Sequence, residues 1–138
     1  KEHGQKLMNR FLSNMPALKR VRNAVQKAAE RGLIRGVDGR HLHIRSPHAA
    51  LNTLIQGAGA TICKDWLINM TQRISRKGID VRLVASVHDE YQFEVAKKDV
   101  NQFGIITKDA IKDTELKLKF RCPLDSTWKH GTTWAETH

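Results

Sequence analysis

The stretch LVASVHDEYQFEV, residues 83–95, constrains the fold more than any other part of this chain. Its odd-numbered positions are apolar or aromatic except for Asp89. Alternation with a period of two is typical of a half-buried β-strand. In one continuous strand, Asp89 would enter the same core as Val87 and Tyr91. An unpaired carboxylate in a core costs several kcal/mol or shifts its pKa, so a single strand is unfavourable here.

Two short strands remove this conflict. Leu83–Val87 and Tyr91–Val95 each keep the alternation and are predicted to fold back through a tight turn at His88-Asp89-Glu90. The two acidic residues then lie at the tip of a hairpin. Aspartate is common in turns, so the stretch fits an ordinary polar turn about as well as a metal-binding carboxylate on a rigid hairpin.

Composition narrows the class of protein. The 138 residues include 40% hydrophobic residues, which is enough for one folded domain. Twenty-four Lys and Arg against fourteen Asp and Glu give a net charge of +10. This charge favours a polyanionic partner such as nucleic acid, and a merely basic surface is the alternative. An aromatic content of 6% argues against a platform that stacks single-stranded bases.

Other features concern the compartment. No apolar run is long enough to span a membrane, which predicts no membrane partner. Cys63 and Cys122 show no metal-ligand spacing and are interpreted as reduced core thiols of a cytoplasmic protein. The chain begins without methionine, inside a predicted helix, which indicates a segment of something larger.

Proline and glycine residues mark the predicted boundaries of the helices and turns in the first half of the chain. Pro16 separates two amphipathic helices, and Gly32 is expected to end the second. Asp38-Gly39 predicts a hairpin turn, and Ser46 with Pro47 predicts the capped start of a long helix that ends at Gly78. The predicted ranges are 1–14, 16–31, 33–45 and 46–77.

The second half predicts a helix over 97–114 and a strand over 116–124, where Leu, Phe and Cys alternate with Lys and Arg. The expected fold class is α+β. A small antiparallel sheet, made of the central hairpin plus the C-terminal strand, would pack against several helices. No linker or repeat is present, so residues 1–138 are predicted to form a single domain.

Three uncharged polar residues form a row on the long helix. His48, Asn52 and Gln56 are spaced at i, i+4 and i+8, with glycine and alanine beside them. Amide donors can bind the minor-groove acceptors that all base pairs share, so such a row tests base-pair shape without reading sequence. The alternative is a polar edge bonded to the neighbouring backbone.

These motifs resemble a known family. Val87-His88-Asp89-Glu90 resembles motif C of the family A DNA polymerases, and RSPHAALNTLIQGAGATICK, residues 45–64, resembles the preceding helix in replicative polymerases of short-tailed coliphages. The resemblance covers essentially the whole chain. It implies the C-terminal palm and fingers segment of a polymerase catalytic domain.

The resemblance also implies roles for individual residues. Asp89 is the expected ligand of the catalytic metals, Glu90 the neighbouring acid that supports the site, and His88 the histidine beside the primer end. Gln56 and Asn52 are expected to touch the minor groove near the primer terminus. The expected DNA-binding set is completed by His48, Arg45 and Arg40.

Other parts of the family pattern do not occur in this sequence. The second metal-binding aspartate, in an Asp-x-Ser-x-x-Glu motif, and the helix that holds the incoming nucleotide are both missing. The resemblance therefore implies a two-Mg²⁺ site with one ligand aspartate in this chain. The expected partners are primer-template DNA, dNTP, an upstream polymerase segment and, potentially, a processivity factor. If the chain is phage-encoded, the expected compartment is the host cytoplasm.

Two other functions compete with this one. The chain could be a non-catalytic DNA-binding module that keeps the palm fold. It could also be an unrelated metal phosphohydrolase, but such sites need several converging His and Asp ligands. The histidines outside the motifs show no ligand spacing such as His-x-x-x-His, namely His3, His41, His43, His130 and His138.

Overall fold

The computed structural model describes residues 2–137 and confirms the α+β class. The helices are α1 (Glu2–Asn14), α2 (Pro16–Ala29), α3 (Ala50–Lys77), α4 (Val100–Leu118) and α5 (Trp134–Thr137). The strands are β1 (Leu33–Arg35), β2 (His41–His43), β3 (Val81–Val87) and β4 (Glu90–Val95). They form two separate two-stranded antiparallel sheets, β1–β2 and β3–β4. None of the helices in residues 2–137 has the length and apolar character needed to cross a membrane.

The chain divides into two compact units, residues 1–58 and 59–138. Helix α3 contributes its first nine residues to the first unit and the remainder to the second. A single domain over residues 1–138 therefore stays a prediction, and each unit is described by itself.

The first unit is built around one apolar cluster. It joins α2, the β1–β2 hairpin and the start of α3 through Val25, Ala29, Ile34 and Ala50. The hairpin turn predicted at Asp38-Gly39 is confirmed, and Gly39 has a φ of 85°, which glycine adopts without strain.

The start of the long helix differs from the prediction. Pro47–Ala49 form a 3₁₀ turn, and α3 begins at Ala50. Ser46 makes no side-chain cap, and its backbone carbonyl accepts the N–H of Ala49 at 3.0 Å, which closes the turn. The predicted end is confirmed, since Gly78 follows Lys77 with a φ of 65°.

The second unit packs one face of β4 against α3 and α4. Trp66 and Tyr91 have ring centroids 5.4 Å apart, and Phe93 meets Phe103 edge-on at 4.8 Å. The indole N–H of Trp66 donates to the carbonyl of Thr107 at 2.9 Å. This aromatic layer holds the hairpin against the helices, and aromatic pairs of this geometry contribute about 0.5–1.5 kcal/mol each beyond the area they bury.

A β-bulge in β3 changes which residues share a face. Leu83 pairs with Phe93 but Ala85 pairs with Gln92, so Val84 is the extra residue. Beyond the bulge, Val87 lies on the face of Glu90, opposite to the face of Tyr91. The prediction that Leu83–Val87 keeps an unbroken alternation was therefore wrong. Val84 and Val87 are 63% and 38% exposed.

The predicted strand over 116–124 was also wrong. Helix α4 continues to Leu118, because Leu and Lys are strong helix formers and the buried face of the helix recurs at Ile106, Ala110 and Thr114. Leu116, the first apolar residue of the alternation, is 75% exposed. No strand therefore joins β3 and β4 from this part of the described chain, and Cys122 is exposed, contrary to the expected core thiol.

The end of α4 follows a recognised pattern. Lys119 takes a left-handed conformation with a φ of 55°, its N–H bonds to the carbonyl of Leu116, and the N–H of Phe120 bonds to the carbonyl of Glu115 at 3.1 Å. These two bonds are those of a Schellman motif. The carboxylate of Glu115 then accepts the N–H of Leu124 at 2.6 Å, which ties the following irregular segment to the helix.

Gly104 provides a test of the packing on α4. A Cβ at this position would overlap the indole of Trp128, well inside van der Waals contact. Alanine favours a helix by about 1 kcal/mol over glycine, but overpacking costs about 1–3 kcal/mol. We expect Gly104→Ala to lower the free energy of unfolding in urea and to shift the tryptophan fluorescence.

The matched control is Gly59→Ala on α3, where a Cβ would meet no atom within 4 Å. This variant should gain about 1 kcal/mol from helix propensity. Equal gains for the two variants would contradict the contact between Gly104 and Trp128.

The ion pair between α3 and α4 predicts an acid dependence of stability. Arg73 donates two hydrogen bonds to Asp113, at 2.7 and 3.0 Å, and these hold the pKa of the Asp113 carboxyl below its usual 3.8. Because the folded-state pKa is lowered, the contribution is full above the unfolded-state pKa and is lost as the pH falls through the folded-state value. Both side chains are partly exposed, so we expect Arg73→Gln to cost about 1 kcal/mol at neutral pH.

Urea unfolding of wild type and Arg73→Gln at about pH 7 and about pH 3 measures this difference, which should narrow in acid. Lys108→Gln, an exposed cation on α4, is the control and should change little at either pH. If the difference in unfolding free energy between Arg73→Gln and wild type is the same at both pH values, protonation of Asp113 does not control the contribution of this ion pair.

Candidate active site

The tip of the β3–β4 hairpin carries the acidic residues singled out in the sequence. His88 and Asp89 form its two-residue loop, and Glu90 begins β4 opposite Val87. The bulge at Val84 sets this register, so the side chain of Asp89 is exposed and does not enter the aromatic core. The predicted hairpin is confirmed, but its loop is His88-Asp89 alone, and Glu90, which was predicted to lie in the turn, belongs to β4. The conflict that an acidic residue posed for a single strand disappears.

His88 adopts an uncommon backbone conformation. Its φ is 52°, in the left-handed region that costs a non-glycine residue energy and is found most often at turns and functional sites. The imidazole is exposed beside Asp89. The position therefore combines a strained loop with a polar ring at the tip of the hairpin.

Uncharged groups lie beneath Asp89. The thiol of Cys63, on α3, is half-buried, and burial followed by the negative charge of Asp89 raises its pKa. Burial also raises the pKa of the Tyr91 hydroxyl, against the effect of a hydrogen bond with the side chain of Ser86. Within residues 2–137 no side chain forms a hydrogen bond or ion pair with the carboxylate of Asp89. Its negative charge is thus not neutralised by a side chain among the described residues.

This carboxylate suits a hard cation. Mg²⁺ is held by oxygen ligands, often one or two carboxylates, while it keeps several waters and contacts phosphates. Across the described part of the chain, however, no three His, Cys, Asp or Glu side chains are grouped to hold a metal ion. Asp89 therefore offers one oxygen ligand for such a cation, and the described residues do not complete a site around it.

Glu90 is bonded to a side chain of its own strand, which in turn contacts the C-terminal helix. The side-chain amide of Gln92 donates to its carboxylate, and the hydroxyl of Thr137 contacts the carbonyl oxygen of that amide at 3.3 Å. Gln92 could have been suspected, because it lies two residues from Glu90 on the same side of a strand. Thr137 is 45 residues from Gln92, and no local pattern indicates this contact.

The polar row lies in the first unit. His48 is in the 3₁₀ turn, Asn52 and Gln56 are on α3, and all three are exposed. None of these side chains hydrogen-bonds to another part of residues 2–137, so the alternative of a polar edge bonded to its own backbone is wrong. The row leaves its donors available to an external ligand.

The glycines beside the row differ from each other. A Cβ at Gly57 would come within 3.1 Å of the Leu42 side chain, so this glycine serves packing inside the first unit. A Cβ at Gly59 would meet only open space. Close approach of an outside molecule is therefore available at Gly59 but does not explain Gly57.

The two arginines that were predicted to bind DNA differ in how available they are to an external phosphate. Arg45 is exposed between β2 and the 3₁₀ turn. Arg40 is exposed in the β1–β2 turn and bonds to the Asp38 carboxylate at 2.5 Å. A phosphate at Arg40 would have to share the guanidinium with Asp38, whereas a phosphate at Arg45 would not meet this competition.

The structure thus brings together His88, Asp89 and Glu90 in the second unit and, separately, His48, Asn52 and Gln56 in the first. The sequence profile of DNA polymerase family A matches residues 1–136. The chain belongs to DNA polymerase family A. This confirms the family to which the motifs pointed.

Relatives of this family A chain include phage enzymes. The DNA-directed DNA polymerases of Escherichia phage T7 and Enterobacteria phage T3 are 38% and 36% identical to it over its whole length. DNA polymerase I of Bacillus caldotenax is 26% identical over 97% of the chain. The chain spans 23% of the length of the two phage enzymes and 16% of the Bacillus one.

A solved structure agrees with these relatives. The polymerase domain of Pol1 from M. smegmatis, in complex with DNA primer-template and dNTP, superimposes with a TM-score of 0.74. It is 25% identical and covers 82% of this chain, which in turn covers 22% of that structure. The family A chain therefore has the fold of part of a polymerase domain.

Proposed function

We propose that this family A chain is the C-terminal portion of a DNA-directed DNA polymerase. It would supply the motif C carboxylate and the minor-groove contacts, and it would need an upstream segment for activity. The observation that carries the proposal is Asp89, an exposed carboxylate at the tip of a hairpin with no side-chain partner among residues 2–137, in a chain matched to the family over residues 1–136.

Asp89 would hold Mg²⁺, and the bound metal would stabilise the charge that develops during phosphoryl transfer. The chain's own contribution is to hold this carboxylate on a short loop anchored by the Trp66–Tyr91 and Phe93–Phe103 contacts. A rigid support matters because catalytic groups must keep their positions to within about 0.5 Å.

The row in the first unit would bind primer-template DNA. Asn52 and Gln56 present amide donors, and minor-groove acceptors occur at similar places in every base pair. The net charge of +10 and the exposed Arg45 favour the phosphate backbone. Together they suit a protein that binds DNA of any sequence, as template-directed synthesis requires.

The need for an upstream segment follows from the ligand count. Residues 2–137 offer no group of three metal-binding side chains, and the sequence lacks the second aspartate motif and the nucleotide-binding helix that the resemblance implies. The second aspartate, the nucleotide-binding helix and the contacts that hold dNTP would come from that upstream segment. A non-catalytic DNA-binding module is the second candidate, and the same single carboxylate favours it.

Primer extension tests the proposal. The chain, the upstream portion of the phage T7 relative, and their mixture are each incubated with primed template, Mg²⁺ and all four dNTPs. We expect synthesis only in the mixture. Synthesis by the chain alone would contradict the need for a partner. No synthesis by a mixture in which the two pieces are shown to bind each other, with salt-sensitive DNA binding retained, would establish the non-catalytic module.

A further inference from the structure

The C-terminal segment of the second unit is a defined structure. The carboxylate of Glu136 accepts the N–H and hydroxyl of Thr132 and the N–H of Thr133, the last at 3.3 Å. These bonds, that of the Thr132 amide first, lower the pKa of the Glu136 carboxyl. The arrangement resembles a capping box, in which an acidic side chain binds the free N–H groups at the start of a helix. It fixes the direction in which α5 leaves residues 131–133.

Gly131 is part of the same arrangement. A Cβ at this position would overlap the side chain of Glu136, well inside van der Waals contact. A larger residue at 131 would therefore displace the carboxylate that caps α5. The conformation of this segment depends on contacts made within it.

The far end of α5 reaches the hairpin. The hydroxyl of Thr137 lies 3.3 Å from the Oε1 atom of Gln92 and 3.0 Å from the carbonyl of Trp134. A hydroxyl has one hydrogen, so its donation is shared between these two acceptors. The contact joins the C-terminal helix to the strand that begins with Glu90.

The chemistry of the amide fixes the direction of the next bond. An ionised carboxylate only accepts hydrogen bonds, so Gln92 must turn its NH₂ group towards Glu90 and its Oε1 towards Thr137. A hydroxyl that donates to Oε1 therefore stabilises the orientation in which the amide donates to the carboxylate. The three side chains form a relay with one consistent direction.

We propose that α5 positions the Glu90 carboxylate at the hairpin tip through the relay Thr137–Gln92–Glu90. Thr137 and Gln92 act as positioning residues, because they contact neither Asp89 nor any reacting atom. Glu90 directly follows Asp89, so fixing its side chain restrains the strand end on which the metal-binding carboxylate is held. This inference deepens the proposed function and rests on it for its effect on synthesis.

The first measurement needs no activity. Side-chain amide signals of Gln92 are followed by ¹⁵N NMR in the complete 138-residue chain, with Gln92→Leu to assign them. We expect Thr137→Val to move these signals towards those of exposed glutamines and Thr137→Ser, which keeps the donor, to restore them. Thr71→Val is the matched control, since that hydroxyl donates to the carbonyl of Leu67 in its own helix.

The second measurement is the Mg²⁺ concentration for half-maximal synthesis by the mixture with the upstream portion. Loss of an outer partner of a metal site weakens metal binding or activity by about 10–100-fold. We expect about a tenfold increase for Thr137→Val and for Gln92→Leu, and wild-type values for Thr137→Ser and Thr71→Val.

The two measurements separate the two hypotheses. Wild-type amide signals and a wild-type Mg²⁺ requirement in Thr137→Val would overturn the relay. Altered signals with an unchanged Mg²⁺ requirement would overturn the positioning role. Absence of synthesis by the wild-type mixture would contradict the proposed function. The NMR comparison would still decide whether Thr137 orients Gln92.

Discussion

Asp89→Asn should abolish synthesis by the mixture of this chain with an upstream polymerase portion, and it should leave the chain folded. An amide is a far poorer Mg²⁺ ligand than a carboxylate, and stabilisation by a bound metal accounts for several kcal/mol of a phosphoryl-transfer barrier. We expect a loss of at least about 1,000-fold in rate, equivalent to about 4 kcal/mol. Single-turnover primer extension at saturating DNA measures this loss.

Stability and DNA binding serve as internal controls for that variant. The side chain of Asp89 is exposed, so the free energy of unfolding should change by less than about 0.5 kcal/mol. The matched variant is Asp80→Asn, beside the start of the same hairpin, which makes one ion pair within residues 2–137, a 3.8 Å contact with Arg82 between exposed side chains. Equal losses of synthesis in the two variants would refute a special role for Asp89.

Gln56→Ala should slow synthesis without unfolding the chain. The side chain is exposed and makes no hydrogen bond within residues 2–137, so its removal costs little stability. A lost hydrogen bond to the minor groove corresponds to about 1–1.5 kcal/mol, or about a tenfold lower rate of extension. The effect should appear with every template sequence, since the contact reads shape.

Gln72→Ala provides the control, because Gln72 is another exposed glutamine of α3. Salt titration of DNA binding adds a second distinction. Arg45→Gln should lower the slope of log affinity against log salt by about one, as expected for a phosphate contact, whereas Gln56→Ala should not. A rate for Gln56→Ala equal to that of Gln72→Ala would remove Gln56 from the minor-groove row.

Much of the local structure was predictable, because it depends on near neighbours in the chain. Pro16, Gly39 and Gly78 mark a helix start, a turn and a helix end, and each acts through the backbone angles it allows. The turn at His88-Asp89 followed from the cost of burying a carboxylate. Helical spacing correctly placed Asn52 and Gln56 one turn apart on α3, whereas His48, predicted on the same helix, lies in the preceding 3₁₀ turn.

The two wrong strand predictions, over residues 116–124 and at the bulge of β3, share a different cause. Alternation over 116–124 indicates a strand only if another strand is available to pair with it, and α4 continues instead, because its buried face extends to Thr114 and Lys117 binds Asp65. The bulge at Val84 was equally hidden, since a register shift depends on the opposite strand. In both cases the sequence pattern was real, but its partner was decided elsewhere in the fold.

The sequence by itself determined the chemical groups of this protein, its two hairpin turns and the helix ends at Pro16 and Gly78, because each of these follows from residues a few positions apart. Only the tertiary structure decided that Asp89 has no side-chain partner in the described chain, that Cys63 lies beneath it, and that Thr137 contacts Gln92. The physical reason is that these properties depend on which distant segments pack together, and packing is set by the balance of burial over a whole unit.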